Sequence, residues 1–190
     1  MKHTALLLLL TSLASVSTGA EWKTLFDGRT LDGWKPTSDA NWRVENGAIV
    51  VDSGQRGFLI HEDTYDNYEL TVEFKAAKGA NSGVFLNTKH GKLNLTEDCY
   101  ELNIAPPDNP FPTGSLVARV KVGGAGESDA WRRFDVRVVG GHVTVKLDGK
   151  QVVDYRAKTP ASGNLLGLQL NEGRVAFRNI RARKLGKTGD

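Results

Sequence analysis

Residues 134–155, FDVRVVGGHVTVKLDGKQVVDY, hold three short runs of alternating side chains joined by two glycine turns. Phe134, Val136 and Val138 are interleaved with Asp135 and Arg137. After Gly140-Gly141, Val143, Val145 and Leu147 are interleaved with Thr144 and Lys146, and Asp148-Gly149 leads into Gln151 to Tyr155. Successive side chains of a strand point to opposite faces, so each run has one apolar and one polar side. Gly-Gly and Asp-Gly reach the positive φ that tight hairpins require. The segment therefore predicts three antiparallel strands with one buried face.

The same pattern continues on both sides. Trp42-Arg43-Val44-Glu45 and Ala48-Ile49-Val50-Val51 flank Asn46-Gly47, a type I′ hairpin signal. Tyr68, Leu70, Val72 and Phe74 alternate with Glu69, Thr71 and Glu73. Further strands are predicted at Gly83 to Asn87, Tyr100 to Ile104, Leu116 to Val122, Leu165 to Leu170 and Val175 to Ala182. Prolines at positions 106, 107, 110 and 112 make that stretch a stiff loop. About a dozen strands with antiparallel turns and no long helical period predict an all-β fold, two sheets packed as a jelly-roll sandwich.

The ends bound this domain. Lys2 precedes an apolar run from Ala5 to Leu10 that weakens through Leu13, Ala14 and Val16 and closes on Thr18-Gly19-Ala20. A basic tip, a short apolar run and small closing residues mark a cleavable signal peptide, whereas a spanning helix needs about 20 apolar residues. Residues 1–20 are read as that signal, 21–184 as one β-sandwich domain and 185–190 as a disordered tail. The expected location is periplasmic or secreted, in a Gram-negative-type bacterial envelope, with no membrane anchor after cleavage.

The chain has 25 Lys and Arg against 22 Asp and Glu, interspersed along its length. A nucleic-acid binder concentrates positive charge in a stripe, so no nucleic-acid partner is expected. The basic concentration from Arg174 to Lys187 reads first as solvated surface. Cys99 is the one cysteine, so no internal disulfide forms, and it reads as a small buried residue at a strand start. The four histidines have no metal-ligand spacing. No metal and no cofactor is expected.

Alternation also fixes which side chains face outward. With Val84, Leu86, Tyr100, Leu102, Ile104, Leu116, Ala118, Val120, Leu166, Leu168 and Leu170 turned inward, the polar outward set is Asn87, Glu101, Asn103, Arg119, Lys121, Gln169 and Asn171. Amides, a carboxylate and guanidinium or ammonium groups hydrogen-bond sugar hydroxyls well, so the set suits a carbohydrate-binding face. An ordinary solvated sheet face has the same alternation.

Leu25-Phe26-Asp27-Gly28-Arg29-Thr30-Leu31-Asp32-Gly33-Trp34-Lys35, Ala80-Asn81-Ser82-Gly83-Val84-Phe85-Leu86, Tyr100-Glu101-Leu102, and Gly167-Leu168-Gln169 through to Phe177-Arg178-Asn179-Ile180 resemble, in that order, the 3-keto-disaccharide hydrolase domain family. The resemblance covers nearly the whole chain after residue 20. It implies a concanavalin-like, laminin G-like jelly roll, a bacterial envelope location and a carbohydrate partner. It also implies hydrolysis of 3-keto-glycosides: a base removes the acidified C2 proton, the C1 substituent is eliminated, and water adds to the enone. By resemblance Glu101 is the base or a hydroxyl anchor, Arg119 or else Lys121 stabilises the enolate, Gln169 orients hydroxyls, and Asn81 orders the turn below the site. Asn87, Asn103 and Asn171 stand where the family commonly has Arg, Gln and His, and they remain substrate-binding candidates. The alternative is a non-catalytic carbohydrate-binding sandwich.

Overall fold

The computed structural model describes residues 20–123 and 128–186. The signal peptide read at residues 1–20 lies almost wholly outside the described residues, as do residues 187–190 of the expected tail. In chain order the strands are β1 (Lys23–Thr24), β2 (Trp34–Pro36), β3 (Arg43–Glu45), β4 (Ala48–Val51), β5 (Gly57–His61), β6 (Tyr68–Ala76) and β7 (Asn81–Thr88). They continue as β8 (Tyr100–Ile104), β9 (Arg132–Val139), β10 (His142–Leu147), β11 (Lys150–Arg156), β12 (Leu165–Glu172) and β13 (Val175–Lys184).

Two antiparallel sheets result. The larger runs β11-β10-β9-β6-β13-β4-β3, with β1 also on β13; the smaller runs β2-β5-β12-β7-β8. The meander read from residues 134–155 is the β9-β10-β11 edge, with Val138 opposite Val143 and Val136 opposite Val145. Asn46 and Gly47 take φ of 51° and 75°, as the type I′ hairpin between β3 and β4 requires. The apolar sides of both sheets meet in one core, in which Phe74 stacks on Phe134 with ring centroids 4.6 Å apart.

The N-terminal segment belongs to both sheets. β1 extends the larger and β2 edges the smaller, and Trp34 Nε1 donates to Leu25 O at 2.7 Å between them. Asp27 Oδ1 accepts the amides of Arg29 and Thr30, closing the intervening turn. Opposite β1, the register of β13 shifts between Arg178 and Arg181, where Asn179 has a φ of 50°. This bulge leaves Ile180 O to accept the Leu25 amide at 2.9 Å.

Two expectations are corrected. Leu116 to Val122 is not a strand. The amides of Arg119 and Val120 both bond back to Leu116 O, and Ala118 takes a φ of 59°. The segment from Gly114 to Val117 is tied to β8 by Asn103 N to Ser115 O and Val117 N to Glu101 O, so the chain crosses the sheet edge and turns back. Period-two alternation is lost there, and with it the inward and outward assignment of residues 116–122. Asn87 likewise does not face outward. Its φ of 51° breaks the alternation of β7, and its amide enters the sandwich, where Oδ1 accepts from Tyr68 Oη at 3.0 Å and Nδ2 donates to Gly163 O at 3.2 Å. At the C-terminus, Leu185 N is bonded to Asn67 O.

Tyr68 is fully buried and comes from the opposite sheet. Tyr68→Phe is expected to lower unfolding stability by about 1–3 kcal/mol, because Asn87 Oδ1 is then buried without a donor. A urea midpoint measured beside wild type checks this; an unchanged midpoint means the bond adds nothing to the fold.

Candidate functional site

Register builds the site. On the outer face of the smaller sheet two rows run across four strands. One is Glu101, Phe85, Gly167, Ile60; the other is Asn103, Gly83, Gln169, Phe58. Each row contains one glycine, so the face is dented where flanking side chains are long. A Cβ added at Gly83 would lie 3.2 Å from Leu102 O, 3.5 Å from Glu101 Cγ and 3.6 Å from Gln169 Oε1. Glu101 and Gln169 therefore lean into the space that Gly83 leaves open, and their side chains are hydrogen-bonded there.

Glu101 is only 8% exposed. Burial pushes its carboxyl above the usual carboxylate range, and the hydrogen bond from Gln169 opposes that shift. Asn103 is fixed by donating Nδ2 to Phe111 O in the proline-rich loop. Phe58 and Phe85 form an apolar flank, edge to face at 4.6 Å. What distinguishes the face is its set of buried oxygens without a hydrogen-bond partner among the described residues: Asn103 Oδ1, Gln169 Oε1, Asn171 Oδ1 and Thr88 Oγ1. Buried polar atoms are nearly always paired, so these four oxygens, borne by the strands around Glu101, are acceptors in want of donors.

Of the residues expected here, the structure brings together Glu101, Asn103 and Gln169, with Asn171 following on β12. Asn81 opens β7 opposite Glu172, half-buried at the end of the same sheet. Arg119 is elsewhere. Its guanidinium donates to Thr96 O at 2.7 Å and Cys99 O at 2.8 Å, and it lies over the Tyr100 ring at 4.8 Å, on the core side of β8. Lys121 is an exposed residue of the connector beyond the turn. Asn87 is spent on Tyr68 and Gly163. Cys99 is buried and its thiol is pushed up to about 12 by burial. Among the described residues no group of three or more His, Cys, Asp and Glu is placed to share a metal ion.

Thr88 was missed. A Cβ at Gly167 would touch Thr88 Cγ2 at 3.5 Å, Phe85 Cβ at 3.6 Å and Ile60 Cγ1 at 3.7 Å, so the bulge at Asn87 returns Thr88 to the outer face. The available signal was Asn87 itself, since Asn adopts positive φ more readily than most residues.

A family model described as the 3-keto-alpha-glucoside-1,2-lyase-like domain matches residues 21–183. A 3-keto-disaccharide hydrolase of Bacteroides thetaiotaomicron is 36% identical over 74 residues, a match spanning 33% of this chain and 26% of that protein. A candidate glycosyl hydrolase of Parabacteroides distasonis ATCC 8503 superposes with a TM-score of 0.74 at 20% identity, over 93% of this chain and 99% of the other. The carbohydrate-binding module CBM66 of Bacillus subtilis superposes with a TM-score of 0.66 at 12% identity, over 80% and 96%. The two structures share the sandwich fold.

A carboxyl whose pKa is raised by folding adds stability that is fully present below its unfolded pKa and is lost as pH rises through its folded pKa. Glu101→Gln keeps the shape and removes the buried charge. It is expected to flatten this part of the stability profile, leaving the variant more stable than wild type at neutral pH and closest to it at acid pH. Thermal midpoints across pH 4–8 check this; parallel profiles for the two proteins would mean that Glu101 is not desolvated.

Proposed function

The chain belongs to the family of 3-keto-alpha-glucoside-1,2-lyase-like domains, and from that premise we propose that it cleaves 3-keto-glycosides with Glu101 as general base, as an exported protein of the bacterial envelope. The observation that carries this reading is the buried Glu101 carboxyl, held by Gln169 among orphaned oxygens. A keto-sugar offers hydroxyls to those oxygens and an acidic C2 proton to the carboxylate. Burial raises the basicity of Glu101 and brings its pKa nearer to neutral pH, which favours proton transfer.

Glu101 takes the C2 proton, and the electron pair of that bond moves toward the C3 oxygen as an enolate. The pair returns to form the C1–C2 double bond while the C1–O bond breaks. The departing oxygen takes a proton, for which protonated Glu101 is the available donor, and water then adds across the enone. Gln169 holds the carboxylate in place, and the oxygens of Asn103, Asn171 and Thr88 accept from substrate hydroxyls.

A second reading, a carbohydrate-binding domain without turnover, is favoured by one observation. Arg119, the expected enolate partner, is committed to backbone carbonyls and the Tyr100 ring. The enolate would then be stabilised by neutral donors alone, a weaker arrangement than one with a cation.

Incubation of the protein with 3-keto-disaccharides of several linkages, with sugar release followed, decides between the readings. Release by wild type is expected, rising with pH as Glu101 ionises and falling about 10²–10⁴-fold in Glu101→Gln. Arg119→Lys is expected to retain turnover. No release by wild type from any linkage, with binding weakened by Glu101→Gln, establishes the second reading.

A further inference from the structure

The larger sheet has a groove of about 550 Å3 on its outer face, on the opposite side of the molecule from Glu101. Its floor is Ala48 and Val50 of β4 with Ala176 of β13, and Ala176 lies between Val50 and Lys75 across the strands. One wall is Trp131. The Arg178 guanidinium stacks on its ring at 4.0 Å and is itself fixed by Glu73 at 2.8 Å. The other rim is Arg174, bonded to both Glu45 and Asp52. The walls are thus held in place before any ligand arrives.

We propose that this groove is a second glycan-binding site, which takes an internal stretch of a neutral polysaccharide while the Glu101 face handles small sugars. An indole beside a floor of small apolar side chains fits the C–H face of a pyranose ring. The side chains of Lys75 and Asp129 and the Trp131 indole N–H line the same groove and have no hydrogen bond or ion pair within the described residues. They supply donors and an acceptor for ring hydroxyls. The two free charges are of opposite sign, so the groove favours a neutral chain over a uronate or sulfated one. Binding in this groove is independent of turnover at Glu101.

Affinity electrophoresis of the full chain in gels containing dextran or mixed-linkage β-glucan tests the site. Wild type and Glu101→Gln are expected to be retarded equally in at least one glucan. Trp131→Ala is expected to lose about tenfold in apparent affinity, with Trp131→Phe in between. Lys75→Ala, a surface change, is a second variant expected to reduce retardation if Trp131→Ala does not fold. Wild type unretarded in both glucans, folded Trp131→Ala retarded like wild type, or retardation abolished by Glu101→Gln alone each overturns the proposal.

Discussion

The hydrogen bond from Tyr68 to Asn87 joins the two sheets and sets what the smaller one displays. Asn87 takes a left-handed conformation, turns its amide into the core and displaces the alternation of β7 by one residue. Thr88 therefore joins Phe85 on the outer face instead of pointing inward. Without the bulge, a polar amide would face out at position 87 and the threonine hydroxyl would enter an apolar core. The tyrosine hydroxyl is the donor that makes the buried amide tolerable.

The same trade between alternation and bulges decides what could be read in the sequence. Strands whose apolar residues keep strict period two, such as Tyr68 to Phe74 and Phe134 to Leu147, were legible with their faces. So were Glu101, Asn103 and Gln169, because β8 and β12 keep their period through those positions. Reading failed where the backbone enters positive φ without glycine, at Asn87 and Ala118. At Leu116 to Val122 the residue pattern alternates, but the carbonyl of Leu116 is used by a tight turn, and no side-chain pattern announces that. Arg119 was assigned to the site by parity along a strand that does not exist.

The motifs that carry the family likeness divide into scaffold and site. Leu25 to Trp34 and Arg178 to Ile180 meet in one N-terminal joint between the two sheets, through Leu25 to Ile180 and Trp34 to Leu25, with β2 at the edge of the smaller sheet opposite β8, which carries Glu101. Ser82 donates to Gln169 O, tying β7 to β12, and Gly83 leaves the gap that Glu101 and Gln169 share. The long motifs thus build the frame, and Gly83 with its neighbours shapes the gap that holds Glu101 and Gln169.

Buried polar groups left without a partner cost about 1–3 kcal/mol each. Their chemistry also defines what relieves the cost. Every orphan on the Glu101 face is an oxygen that accepts, and only Thr88 has a proton to give. Each of the nearest amide groups already spends one of its two N–H donors, Gln169 on Glu101 and Asn103 on Phe111. An anionic ligand would bring further acceptors into a space that already repels them, whereas a polyhydroxylated sugar brings donors in numbers. The same asymmetry separates holding from cutting in the proposed reaction. Hydroxyl binding is favoured by the oxygens alone, whereas an enolate at C3 needs donors, and the amide hydrogens of Gln169 and Asn171 are the ones the face could offer it.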